Sequence, residues 1–347
     1  MEISKHDSQK IAILNVGAIL QVLLIHSYYL EAESYSFAQT IQLFTGAKGL
    51  SSVAVPLFYF ISGLLFFRSV SSVQHCLYGI KKRVRTLFVP YIIWNCVFVG
   101  WYVFLHYVPG VSQYVNSDIL GHLSWEKPLS SLKFLFIEPA GFHLWFLRDL
   151  IVYVFVTPLL FYVLQHFPWV SFMVILAAFG GIPRCGITFF VVGGIVSLHY
   201  GLDGFSKVIS KPVLLVSSIL YVSNAVLATL PGCHRWVLNP YFQQVVNLAG
   251  IVMVWGIYDI IFDRLTSSVL KHRVLEVSKF TFFVYLFHEP VFNILKKLSL
   301  KVLGVSNVSL ILLYFINPII MAAISVCVAL VLKRMMPKVY SVFVGGR

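Results

Sequence analysis

The sequence predicts an all-α integral membrane protein, a polytopic helix bundle of about ten transmembrane helices, and three observations predict it. Hydrophobic residues fill 59% of the 347 positions and charged residues only 11%, against roughly 45–50% and about 25% in soluble domains. The apolar excess is spread along the whole chain as runs poor in charge, separated by polar or Gly/Pro-containing breaks. In hydrocarbon every backbone polar group must be satisfied within the protein, and helices achieve this segment by segment. A soluble globule and a disordered chain are both excluded by these features.

In chain order the runs fall at residues 11–29, 51–67, 86–107, 143–165, 169–182, 186–200, 212–230, 241–262, 280–294 and 308–332. Most reach the ~17–25 residues that a helix needs to cross ~30 Å of hydrocarbon. The fifth, sixth and ninth are short, and the fifth and sixth could together form one re-entrant hairpin. Either count is even, so both termini share a side. The first run follows Lys5 and Lys10 as a signal peptide would, but it is longer than such an apolar core and lacks an A-x-A site, so it reads as an uncleaved first helix. Placing both termini in the cytoplasm leaves only Lys48, Lys127, Lys133, Arg148, Arg184, Arg235, Lys296, Lys297 and Lys301 outside, out of 26 Lys and Arg. That bias follows the positive-inside rule.

The longest connection, residues 108–142, then lies outside, and Trp125, Glu126, Pro128 and Glu138 make it read as a structured surface segment or lid. The net charge of +13 is carried by cations clustered between apolar runs, with no basic arm, so no nucleic-acid partner is expected. Cys76, Cys96, Cys185, Cys233 and Cys327 form no CxxC pair and no His/Cys cluster with zinc-like spacing, and no metal site is expected. Cys185 and Cys233 fall outside, where they could pair or remain thiols. No repeat or composition shift divides the chain, which reads as a single membrane domain over residues 1–347.

Polar side chains inside apolar runs carry the functional information, because each costs free energy unless it faces the bundle interior and finds a partner. His26 lies near the outer end of the first run, where an imidazole can serve as a base near neutral pH or can make a packing contact. Asn15 precedes it by eleven positions, which at 3.6 residues per turn returns to nearly the same face, about 16 Å away. In the fourth run Trp145, Arg148 and Asp149 follow closely. Adjacent side chains on a helix diverge, so Arg148 and Asp149 are each expected to find another partner, at a site or in an interhelical salt bridge. His288 and Glu289 precede Pro290 within the ninth run, where a kink opens polar groups to a cavity or is simply structural. Ser62 and Gly63 form a small pair that lets backbone or ligand approach closely. Lys81, Lys82, Arg83 and Arg85 gather before Pro90, as topology determinants or as contacts for a phosphorylated ligand.

Several segments together resemble a known family: LNVGAILQVLLIHS ending at Ser27, SVAVPLFYFISGLLFF over 52–67, KKRVRTLFVPYIIWN over 81–95, HLWFLRDL over 143–150, FFVVGGI over 189–195 and SKFTFFVYLFHEP over 278–290. In this order they resemble the acyltransferase 3 family of membrane-bound acyltransferases. The resemblance implies transfer of an acyl group, commonly acetyl, from cytoplasmic acyl-CoA to a hydroxyl of a surface or exported carbohydrate. It implies acyl-CoA as a co-substrate rather than a bound cofactor, a lipid bilayer as the setting, and a bacterial inner membrane as the location. The family's first-helix pattern pairs an Arg with an essential His. His26 matches the His, and Asn15 stands where the Arg belongs. Arg83, Arg85 and Arg148 are the cations available to compensate.

On this reading His26 is the catalytic residue, as general base or acyl carrier. Asn15, Ser62, Gly63, Arg83, Arg85, Trp145, Arg148, Asp149, His288 and Glu289 are the expected donor- and acceptor-binding residues. A transporter or flippase is the alternative from another class, since polar residues in broken helices also mark transport paths. A degenerate family member acting as a membrane partner is a third reading, motivated by Asn15.

Overall fold

A computed structural model describes residues 4–108, 137–262 and 268–346. The surface segment expected over 108–142 therefore lies mostly outside the described residues. Among the described residues the chain is all-α. The helices are α1 (Lys5–His26), α2 (Ser36–Thr45), α3 (Ala54–Phe67), α4 (Val73–Arg83), α5 (Val89–Tyr107), α6 (Trp145–Phe155), α7 (Thr157–His166), α8 (Pro168–Phe179), α9 (Ile187–Ile195), α10 (Gly201–Val208), α11 (Lys211–Leu227), α12 (Pro240–Ile257), α13 (Ser268–Ser278), α14 (Thr281–Leu303), α15 (Asn307–Met335) and α16 (Pro337–Phe343). Each of the ten apolar runs lies in one or two of these helices.

Among the described residues four continuous helical stretches, Lys5–His26, Val73–Tyr107, Ile187–Val208 and Asn307–Met335, are long and apolar enough to cross a membrane. The pair Phe142–Phe155 and Thr157–His166 would make a fifth if it forms one broken span. Ala54–Phe67, Pro168–Phe179 and Lys211–Leu227 are shorter apolar helices. The side chains explain why lipid is the required solvent. On α8, Trp169, Val170, Met173 and Val174 are all about 60% exposed, and on α11 so are Leu215 and Val216. Contiguous apolar faces of this kind are rare on soluble monomers. The protein is an integral membrane protein.

Three stretches widen into π-helix: Val84–Phe88, Val196–Tyr200 and Tyr258–Phe262. The first continues α4 into α5, so the third apolar run is the second half of a helix that already includes Lys81, Lys82 and Arg83. Ser4 caps α1 by accepting from the Asp7 backbone N–H, which fixes where the first helix begins.

The fold groups into two compact units, one formed by residues 1–76 and 157–328 and the other by 77–156 and 329–347. In the larger unit α3 crosses α9 at glycines. A Cβ at Gly63 would overlap the Phe190 carbonyl, and a Cβ at Gly193 would overlap the Phe60 carbonyl. The close approach allowed by the Ser62–Gly63 pair is therefore used by backbone, which holds Phe60, Phe67 and Phe190 in a buried aromatic core. A second cluster joins Tyr29, Ala32 and Ala38 to Leu310, Leu313 and Tyr314. In the smaller unit Trp94 on α5 donates its indole N–H to the Phe343 carbonyl at 3.2 Å and packs on the Phe343 ring.

Candidate active site

His26 is the last residue of α1, and Ser27 closes the helix with its backbone N–H on the Leu24 carbonyl. The C-terminal turn is met by α14, which is broken beside it. Pro290 has no N–H to continue the ladder, and it drives the residue before it out of helical geometry. Glu289 accordingly has φ −96° and ψ 144°. The break turns His288 and Glu289, both buried, toward the end of α1.

The rings of His26 and His288 lie 5.2 Å apart, and His26 Nδ1 is 3.9 Å from Glu289 Oε1. The side chain of His26 keeps 22% of its exposure, whereas that of Glu289 keeps 5% and His288 is wholly buried. Each buried member is held from behind. His288 Nδ1 is 2.8 Å from the Tyr285 carbonyl, and Glu289 Oε2 accepts from Asn293 Nδ2 at 2.7 Å. His26, His288 and Glu289 each offer a ligand atom within 4.8 Å of the others, a group that could hold a metal ion.

Lys296, one turn beyond Asn293, donates from Nζ to the His26 carbonyl at 2.9 Å and to the Tyr28 carbonyl at 2.6 Å. A cation there satisfies carbonyls at the negative end of α1 and fixes the helix end that carries His26. Its ammonium also sits 5.3 Å from the Tyr29 ring centre, and the Tyr29 hydroxyl accepts from Asn317, which is fully buried. Sequence reasoning had counted Lys296 only among the cations of an outer loop. A signal was present: Glu289, Asn293 and Lys296 are spaced to share one helix face.

The other expected residues divide into two groups. Asn15 sits further back along α1, and its amide oxygen is buried without a hydrogen-bond partner among the described residues. Lys10, at the far end of α1, was overlooked as a buried group. Its Nζ is 2.5 Å from Asp259 Oδ1, donates to Ser206 Oγ at 3.2 Å and lies 4.0 Å over the Trp255 ring.

In the smaller unit, Arg83 and Arg85 diverge: Arg83 is half-buried and lines a small pocket with Ile80, Leu87, Ile151 and Val154, while Arg85 is exposed. Trp145 is half-buried in the first turn of α6. Arg148 and Asp149 require a correction, since they were expected to find separate partners and instead pair with each other. Arg148 Nε donates to Asp149 Oδ1 at 2.8 Å, and Nη2 approaches the same oxygen at 2.6 Å. The divergence of neighbouring Cβ atoms is overcome by the length of the arginine, which folds back while also donating to the Ile137 carbonyl. Cys185 and Cys233 are partly exposed thiols.

Residues 12–334 match a family described as an acyltransferase domain. The chain belongs to that family. As a member of this acyltransferase family it is an acyl-transferring enzyme, and the match runs through both compact units and through His26, His288 and Glu289. It is similar to the succinoglycan biosynthesis protein ExoH of Rhizobium meliloti (strain 1021), with 24% identity over 357 residues, covering 98% of this chain and 92% of that protein. No solved structure matches it.

Proposed function

We propose that this acyltransferase moves an acyl group, in the first instance acetyl, from acyl-CoA to a hydroxyl of a surface or exported carbohydrate. The observation that carries this reading is the meeting of His26, His288 and Glu289 at the end of α1, where an imidazole on the first helix faces a buried carboxylate. The similarity to a succinoglycan biosynthesis protein supports a carbohydrate acceptor.

In this mechanism Glu289 accepts a hydrogen bond from His26 Nδ1–H, after the 3.9 Å separation closes as substrate binds. Nε2 then holds the lone pair. It takes the proton from the acceptor hydroxyl as the hydroxyl oxygen attacks the thioester carbonyl carbon. The tetrahedral intermediate collapses with cleavage of the C–S bond, and the proton passes from His26 to the departing thiolate, giving free coenzyme A and an ester. The alternative use of the same nitrogen is to carry the acyl group transiently.

In this reading Asn15, Ser62 and Gly63 in the larger unit, and Arg83 and Arg85 in the smaller, are donor-binding residues, and Trp145 with the Arg148–Asp149 pair binds the acceptor. The ten apolar helical runs are ten spans, both termini face the cytoplasm, the membrane is a bacterial inner membrane, and residues 1–347 act as one domain. The test uses membranes containing the wild-type protein or His26→Ala, given radiolabelled acetyl-CoA and the host's surface polysaccharide. The expected result is label transfer and coenzyme A release that fall at least about 100-fold in the variant. Normal acylation by an inserted His26→Ala protein would remove the catalytic role of His26.

A further inference from the structure

The three side chains at the end of α1 are arranged in a way that proton transfer alone does not require. His26, His288 and Glu289 present two imidazole nitrogens and one carboxylate oxygen, all within 4.8 Å of one another. Their orientations are set from outside the group. The Tyr285 carbonyl can only accept, so His288 Nδ1 carries the hydrogen and Nε2 keeps its lone pair. Asn293 occupies Glu289 Oε2 and leaves Oε1 on the side of His26. A backbone carbonyl behind a histidine and an amide behind a carboxylate are the supports that orient ligands in metal sites. The most exposed of the three, His26, gives a route of entry.

We propose that His26, His288 and Glu289 form a binding site for a divalent transition-metal cation, best fitted by zinc, and that its occupancy competes with acyl transfer. Two nitrogen donors disfavour magnesium and calcium, which take oxygen ligands. Two histidines and one glutamate suit zinc and leave a fourth position for water. Bond lengths of about 2.0–2.1 Å to nitrogen and oxygen require the ligand atoms to draw together by roughly 1 Å or a little more. His26, at the end of a helix, is the member able to move. Lys296 holds the backbone of that helix end, and its positive charge makes the site weaker than a structural zinc site. Competition follows because a metal held between His26 Nδ1 and Glu289 Oε1 leaves the ring hydrogen on Nε2, so that Nε2 can no longer act as the base, and occupies the carboxylate that orients the ring. That half of the inference rests on the acyl-transfer reading, and the binding half does not.

The experiment takes the full chain, purified without a polyhistidine tag and placed in lipid nanodiscs, and measures radiolabelled zinc at equilibrium without donor or acceptor. About one saturable zinc per chain is expected, not displaced by excess magnesium. Affinity should fall at least tenfold in His288→Ala and in the nearly isosteric Glu289→Gln, and stay unchanged in His75→Ala, which alters an exposed histidine. Matching thermal melts of Glu289→Gln and wild type would separate loss of a ligand from loss of the fold. Absence of saturable zinc, or equal affinity in wild type, His288→Ala and Glu289→Gln, would overturn the site. Coenzyme A release by the wild type should fall as zinc rises and return with a chelator. Release unchanged or stimulated by bound zinc would overturn the competition while leaving acyl transfer standing.

Discussion

The two ends of α1 handle charge in opposite ways. At Lys10 the ammonium is fully enclosed and fully answered, by a carboxylate at 2.5 Å, a hydroxyl and the face of an indole. At His26 the groups are gathered but not locked, with a carboxylate at 3.9 Å and a second imidazole at 5.2 Å between ring centres. The first arrangement commits the ammonium to these partners. The second places a carboxylate within a short movement of the His26 ring, as catalytic groups often stand before substrate arrives. The contrast teaches that burial of a titratable side chain in this protein takes two forms, one with a charge partner at bonding distance and one with a carboxylate further off.

The comparison breaks most sharply at Lys10. Lys10→Met should lower stability by roughly 3 kcal/mol, at the low end for a severed buried pair because Asp259 keeps 28% exposure, and Lys10→Met with Asp259→Leu should regain most of it. Thermal unfolding in detergent reads both variants, and a single variant that melts like wild type would show that the pair carries no weight. At the other end Glu289→Gln should leave the melt nearly unchanged and slow coenzyme A release about 100-fold, because the amide oxygen would stay with Asn293 and turn a donor in place of the charged acceptor toward His26. Equal rates would assign orientation to His288 or Lys296 instead. The smallest effect belongs to the middle of the helix. Asn15→Arg should retain or raise activity, with a change under about tenfold, roughly 1.4 kcal/mol. Total loss there would mean that the site has been rebuilt around the amide.

Much of this was legible in the sequence, and the remainder has identifiable causes. Charge-poor runs dictate helices in lipid, and all ten are helical. His26, His288 and Glu289 stood out singly because each is a polar group in an apolar run. Their meeting was not legible, since it depends on how α14 breaks at Glu289 and docks on α1, a tertiary event with no local sequence code. The same limit hid the partner of Lys10, which reads as a topology cation until Asp259 is found beside it. Arg148 and Asp149 misled for another reason: helix geometry constrains Cβ directions, but not where a long flexible side chain ends.

Two lysines grip α1, one from its own first half onto Asp259 and one from α14 onto the carbonyl of its last residue, His26. A helix tethered at both ends cannot slide along the membrane normal to match lipids of different chain length, so a thicker or thinner bilayer must be accommodated by other helices or by the lipid itself. The depth of His26 is thereby set by protein contacts rather than by the surrounding membrane, and it keeps its place while the lipid composition changes.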